Sequence, residues 1–256
     1  MIVVIMVAAL ALLFYLFLIL PTQWFKVERY HYSAGLGLKV LQISDLHVEN
    51  IRISPQRIQK LIAREQPAYI FLTGDFTQQL RYLPKVQQYM KAICAAGIPI
   101  YAVYGNHDHR LMASGVRELT KLLNREGVIV LTNESIDLGA FQLVGIDDWG
   151  SKKSKPGQAF LHVDPSKPII VLAHDPNTVL HIKHSYDYLM SGHFHGMQFN
   201  VPFLFRFINK GKLAASGIYK GQHKWSNGTF YISKGISQTE PNARFLIRSE
   251  VTVHQL

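Results

Sequence analysis

Five short apolar runs in this chain end in the same way, and that recurrence limits its fold more than any other feature. Val40-Leu41-Gln42-Ile43 runs into Ser44-Asp45-Leu46-His47, and Tyr69-Ile70-Phe71-Leu72 into Thr73-Gly74-Asp75. Ile100-Tyr101-Ala102-Val103 runs into Tyr104-Gly105-Asn106-His107-Asp108. Ile169-Ile170-Val171-Leu172-Ala173 ends on His174, and Tyr188-Leu189-Met190 on Ser191-Gly192-His193-Phe194-His195. The runs are short and rich in β-branched or aromatic residues, as buried strands are. Ligands of α/β sheets bind outside the carboxyl ends of the strands. Strand ends carrying Asp, Asn or His therefore predict one polar rim.

Strands are expected over 39–43, 69–72, 98–103, 141–146, 168–173 and 186–190. Helical patterns lie between them. Ser54-Pro55 opens one, as an N-cap followed by proline at the first helical position. Others cover 84–96, stopping at Gly97, and 115–126, stopping at Gly127; glycine just past the last periodic residue is a common helix stop. The last third reads as strands over 214–219, 229–233 and 245–253. Alternating β and α followed by a β-rich end argues a layered α/β domain. No repeat, low-complexity tract or Gly/Ser/Pro-rich linker interrupts it.

Residues 1–20 hold no polar side chain except Tyr15. Twenty helical residues span about 30 Å, the thickness of a hydrocarbon core. Pro21 ends the run, and Trp24, Phe25, Lys26 and Arg29 follow as an interfacial anchor pattern. A cleaved signal peptide would show a basic start, a shorter apolar core and a small-residue cleavage site. A buried core helix would usually keep one polar face. Expected domains are a transmembrane anchor over 1–20, a juxtamembrane segment over 21–37 and a catalytic domain over 38–256. Cations follow the span, so the positive-inside rule leans toward a cytoplasmic domain; an extracytoplasmic one stays open.

The anchor explains the composition. The chain is 48% hydrophobic and 17% charged, against about 25% charged in typical domains. Outside the anchor, about 44% hydrophobic and about 19% charged residues are close to ordinary globular values. This excludes a disordered chain, a collagen-like repeat and a many-span transporter. Cys94 is alone, which removes a disulfide framework and a thiolate zinc site. The net charge of +10 suggests an anionic partner. Between Asp187 and Glu240 there is no acidic residue, while Arg206, Lys210, Lys212, Lys220, Lys224 and Lys234 alternate with Phe199, Phe203, Phe205 and Phe207. Residues 199–224 read either as a solvated basic face or as a lip for an anionic bilayer or an acyl chain. Nothing recognisable would grip a nucleic-acid duplex.

Asp, Asn and His are suited to divalent Mn, Fe, Zn or Mg. An Asp-x-His pair can place two donors on one ion, and one carboxylate can bridge two ions. Gly74, Gly105 and Gly192 flank the candidates and allow close backbone approach.

Together, Asp45-Leu46-His47, Gly74-Asp75, Gly105-Asn106-His107-Asp108, His174 and Gly192-His193-Phe194-His195 resemble the calcineurin-like metallophosphoesterases, from about Lys39 onward. The anchor and strand-rich tail look most like the family's single-span bacterial branch. Phe194, Met197, Thr77 and Asp175 depart from residues common there, none at a ligand position. The resemblance implies a layered α-β-β-α sandwich with one N-terminal transmembrane helix, and two divalent metal ions. It places Asp45, His47 and His195 on the first, Asn106, His174 and His193 on the second, and Asp75 between them. It makes His107 the acid that protonates the leaving group, with Asp108 fixing its orientation. The implied activity is hydrolysis of a phosphodiester, pyrophosphate or phosphomonoester by hydroxide shared between the ions. His109 and Arg110 follow into the site loop and are candidate phosphate contacts. A lipid-linked substrate such as a UDP-diacylglucosamine is expected by analogy. The alternatives are a broad phosphodiesterase or phosphatase on soluble nucleotides or phosphoproteins, and a non-catalytic membrane scaffold with a structural metal site.

Overall fold

The computed structural model describes residues 1–201 and 210–256. Two six-stranded sheets lie back to back. The first has the order β1-β12-β2-β3-β4-β5, with β1 at Lys26–His31, β2 at Lys39–Ile43, β3 at Tyr69–Thr73, β4 at Ile100–Val103, β5 at Val128–Val130 and β12 at Glu250–Gln255. The second has the order β10-β11-β9-β8-β7-β6, with β6 at Glu134–Asp137, β7 at Gln142–Ile146, β8 at Ile169–Ala173, β9 at Tyr188–Ser191, β10 at Gly221–Trp225 and β11 at Gly228–Ile232. Strands β2 to β5 are mutually parallel, as are β7, β8, β9 and β11.

Side chains alternate across a strand, and the chain uses both faces. Val40, Phe71, Tyr101, Ile170, Leu172 and Tyr188 meet between the sheets. Leu41, Ile43, Ile70 and Leu72 point the other way, onto the buried stripes of helices Pro55–Glu65, Leu83–Cys94 and Met112–Arg125. On the second sheet Ile169, Val171, Ala173 and Leu189 form a third core with Phe160, Val179 and Leu213. The result is the expected α-β-β-α layering.

The structure differs from the sequence reading in several places, beginning with two unexpected strands, Val128–Val130 and Glu134–Asp137. Residues 26–31, expected in a juxtamembrane segment, form edge strand β1 and pair in parallel with β12. Residues 214–219 are not a strand: Lys212–Ala215 makes a short helix, closed by Gly217 at φ 81° and by Ile218 N–H donating to Leu213 O. The last strand starts at Glu250 rather than at 245. Within the basic apolar segment, 202–209 lie outside the described residues, including Phe203, Phe205, Arg206 and Phe207, while Gly221–Trp225 is an edge strand.

Ile2–Gln23 is one apolar helix, long enough to cross a membrane by length and composition, and its body is not covered by the domain. It carries a π turn over Tyr15–Ile19. Pro21 lacks the N–H that would bond back to residue 17, which favours such a local widening. The last turn docks on the domain: Arg244 N–H donates to Leu18 O, Ser249 N–H to Pro21 O, and Phe17 packs on Phe245.

Arg244 is fully buried. Its guanidinium donates to the carbonyls of Lys234, Gly235, Ser237, His195 and Arg248. Burial lowers its pKa to about 10, with Asp45 and Glu250 opposing, so it stays charged at neutrality. Arg244→Met strands those carbonyls. We expect a loss of about 3 kcal/mol or more, read as a fall in melting temperature of roughly 10 °C by circular dichroism.

Candidate metal centre and active site

The carboxyl ends of β2, β3, β4, β8 and β9 come to one edge of the sandwich, and the predicted polar residues meet there. One group is Asp45, His47, Asp75 and His195, and a second is Asp75, His174 and His193; within each, donor atoms all lie within 4.8 Å of one another. Asp75 belongs to both. Its Oδ2 is 3.3 Å from His47 Nε2 and 3.2 Å from His174 Nε2. His195 Nε2 is 3.4 Å from Asp45 Oδ1. Asn106 Oδ1 is 3.2 Å from His174 Nε2, and His193 Nδ1 is 3.2 Å from the same nitrogen.

The backbone is shaped for this convergence. Asp45, His47, Asp75, His193 and His195 all have φ between 32° and 69°, a left-handed region costing about 1–3 kcal/mol per non-glycine residue and found mainly at functional sites. A Cβ at Gly192 would strike Ser44 Oγ and Asp45 Oδ2, and one at Gly105 would strike Asp75 Oδ1. Only glycine lets those loops close on the carboxylates.

Two imidazoles are aimed from behind. His174 Nδ1 donates to Thr73 O at 2.8 Å, and His195 Nδ1 to Ser237 O at 3.0 Å. In the neutral ring each bond leaves Nε2 as the lone-pair nitrogen facing the cluster, the arrangement metal-binding histidines use. Burial pushes Asp75 up, but His174 and His47 outweigh it and hold the carboxyl well below its usual range. Burial likewise disfavours charge on His174, yet Asp75 and Asp45 raise it well above the ordinary value. Burial, reinforced by neighbouring cations, pulls His193 and His195 well down. His47 Nε2 is buried and makes no hydrogen bond. A buried, lone-pair-rich set of Asp, His and Asn with one shared carboxylate fits two divalent ions.

The Asp108 carboxylate is bonded away from the His107 ring. It is fully buried, and its two oxygens accept backbone N–H bonds from Asp75, Phe76, Thr77 and Gly105 at 2.8–3.2 Å. It ties the loop after β3 to the loop after β4. Burial, then the charge of Asp75, pushes its carboxyl up to about 7, against backbone bonds that favour the carboxylate. Its place beside His107 falls to a residue that the sequence reading did not single out: Gln78 Oε1 lies 2.9 Å from His107 Nδ1 and accepts from Arg110 Nη1 at 2.6 Å. His107 N–H donates to Asp75 Oδ1 at 2.8 Å, and its ring stands edge-on to His47. Burial lowers the His107 pKa to about 3.

His109 is also differently employed. Its Nε2 sits 2.6 Å from Asp147 Oδ1 and its side chain is 14% exposed, so it braces the loop after β7 instead of facing the rim. Arg110 stays exposed, with Nη1 3.2 Å from His107 Nδ1. Asp147-Asp148 is a further strand end carrying carboxylates, legible in the sequence but missed. Asp148 is buried with Oδ1 unbonded.

Two clefts flank the cluster. One, about 250 Å³, opens at His195 between Phe194, Met197, Phe199 and Pro241. The other, about 530 Å³, opens at His193 and is bordered by Lys210, Lys212, Trp149 and His181, whose rings stack 3.5 Å apart.

A family model for the calcineurin-like phosphoesterases matches residues 38–197. The chain belongs to this family. It is therefore a phosphoester hydrolase rather than a non-catalytic scaffold. The chain is 38% identical over 226 residues to an uncharacterized metallophosphoesterase of Bacillus subtilis, YkoQ, covering 86% of this chain and 83% of that one. It is 26% identical over 219 residues to LpxG of Chlamydia muridarum, named as a UDP-2,3-diacylglucosamine pyrophosphatase, covering 65% of this chain and 66% of the relative. The fold matches TT1561 of Thermus thermophilus with a TM-score of 0.51 at 13% identity, over 78% of this chain and 90% of that one.

Two substitutions separate the roles of the carboxylates. Asp75→Ala should lose both metal and activity; two ions retained by elemental analysis would remove Asp75 from its shared position. Asp108→Asn turns an NH₂ group toward two backbone N–H donors. It should cost about 2–4 kcal/mol in thermal unfolding and displace Asp75, lowering metal content. Full metal with reduced turnover would instead restore a role next to His107.

Proposed function

We propose that this family member is tethered to a membrane by Ile2–Gln23 and hydrolyses a phosphoester or pyrophosphate bond in a lipid-linked substrate. The observation that carries the reading is the apolar cleft at His195. Phe199 and Pro241, over the buried Phe194 and Met197, offer an acyl chain a surface adjoining the candidate metal donors, with Gln198, Lys210, Thr239 and Glu240 forming its polar side. The apolar helix would supply the attachment to the membrane. The similarity to a UDP-2,3-diacylglucosamine pyrophosphatase agrees with a substrate of that kind. Lys26 and Arg29 directly follow the helix, which favours the domain on the cytoplasmic side.

In this reading Asp45, His47 and His195 hold one divalent ion, and Asn106, His174 and His193 the other, with Asp75 between them. When bound, the pair supplies Lewis acidity, activation of water and neutralisation of phosphate charge. The chain does the rest. Asp108 fixes the Asp75 loop, and Thr73 and Ser237 aim His174 and His195. Arg110 meets a phosphate oxygen. His107 gives its proton to the leaving oxygen while Gln78 holds its other nitrogen. The anionic phosphate raises the His107 pKa, opposing the burial that lowers it in the free protein.

A second reading, hydrolysis of soluble nucleotides, has its own support. The stacked Trp149 and His181 beside Lys210 and Lys212 suit a planar base and a phosphate.

With purified full-length enzyme in detergent, kcat/KM for an acylated UDP-sugar should exceed that for its deacylated form by about tenfold or more, since buried methylenes contribute about 0.8 kcal/mol each. Equal values favour the soluble-nucleotide reading. His107→Gln should slow an alkyl phosphodiester about 10²–10⁴-fold, slow an activated aryl ester much less, and leave metal content unchanged. Equal losses on both substrates overturn the acid role.

A further inference from the structure

A groove of about 570 Å³ lies at the foot of the apolar helix, and none of the residues discussed at the metal centre lines it. Its walls divide by chemistry. Leu16, Phe17, Leu246 and Ile247 form an apolar side, while Lys26, Lys220, Lys234 and Arg248 form a cationic one.

The cations are unevenly paired. Lys234 meets Glu28 and Glu250, both at 2.6 Å. Lys26 is 3.1 Å from the same Glu28 and remains about half exposed. Arg248 lies over the Trp24 ring at 4.0 Å and donates to Trp24 O, with no carboxylate partner among the described residues. Among the described residues no carboxylate pairs with Lys220, which lies over the Tyr219 ring. Burial, then Lys234, disfavours its charge, and Glu250 favours it from a distance. The groove has an excess of positive charge.

The apolar side is equally unsatisfied. Leu16, Phe17 and Trp24 are 41%, 46% and 57% exposed. Leu246 is 58% exposed at φ 54°, a strained backbone that turns an apolar side chain outward. In water both strain and exposure are unfavourable; at a lipid interface the exposure becomes favourable.

We propose that this groove binds an anionic phospholipid, with Lys26 and Lys220 on its phosphate and Leu16, Phe17 and Leu246 along its acyl chains. The proposal rests on the reading that Ile2–Gln23 spans a membrane. Free phosphate or a soluble phosphate ester would satisfy the lysines but leave the apolar wall uncovered, so the occupant is a lipid. This lipid is bound away from the metal centre and is not the substrate.

The test uses the full chain in a mild detergent and native mass spectrometry with equimolar phosphatidylglycerol and phosphatidylcholine. Bound phosphatidylglycerol should exceed phosphatidylcholine by about tenfold or more, as two interfacial lysines imply. Lys26→Gln/Lys220→Gln should bring that ratio near one with an unchanged melting temperature, and Lys26→Arg/Lys220→Arg should keep it. Equal binding of the two lipids by the wild type overturns the proposal, as does an unaltered ratio in the Gln variant. Displacement of the lipid by glycerol phosphate at similar concentration overturns the lipid as occupant. Carbonate extraction of membranes separates the two readings. Release of the chain overturns both the span and this site, whereas retention without phosphatidylglycerol preference overturns the site alone.

Discussion

Asp75 can belong to both groups of donors only because its backbone is held from behind. It sits at φ 58°, in a region that a side-chain-bearing residue adopts at a cost. The buried Asp108 carboxylate accepts the N–H groups of Asp75 and its two followers, and that of Gly105 from the next strand end. Hydrogen bonds to a charged acceptor contribute about 1.5–3 kcal/mol each, enough to offset the strain locally. The same four bonds place Asn106 and His107 next to Asp75, since Gly105 begins their turn. One side chain thereby sets the positions of two candidate metal donors and of His107.

The helix is wired into this arrangement through one buried guanidinium. Arg244 N–H bonds to Leu18 O at the helix end, and its guanidinium reaches His195 O and Ser237 O. Ser237 O is also the acceptor for His195 Nδ1. Thr22 and Asn242 share a second arginine, Arg52. The helix end is thus separated from a candidate metal donor by a single side chain, and the last turn of the helix packs as part of the domain.

What the sequence revealed follows from which signals are local. Strands such as Ile169–Ala173 are short apolar runs with polar ends, so both the strand and the ligand at its end could be read. The meeting of Asp45 with His195 was implied by family resemblance and by the rule that parallel sheets gather ligands at strand ends. Strand β1 was hidden because Lys26–His31 carries charge at an edge, where only the contact with β12 shows its role. Asp108 was misread for a different reason. A carboxylate one residue from a histidine suggests a side-chain pair, but in the turn at Asn106–His109 adjacent side chains diverge. Only the loop after β3, brought beside it by sheet pairing, shows where its oxygens go. Gln78 was invisible for the same cause: nothing local marks it as facing a residue 29 positions away.

The sheet geometry also relates the two surfaces suited to lipid. Glu240 and Pro241 border the apolar cleft at His195, while Leu246, Ile247 and Arg248 border the groove at the helix foot. Arg244 is buried between them in sequence and fixes the connecting turn through carbonyls of Lys234 and Gly235. A short, internally bonded loop therefore forms one wall of each. If the helix inserts to Pro21 as proposed, the foot groove would lie at headgroup depth, with the internally bonded loop joining it to the His195 cleft. In the proposed membrane-bound arrangement, an acyl chain entering that cleft from the same leaflet would reach the centre without the domain leaving the surface, which a packed helix end allows and a flexible linker would not ensure.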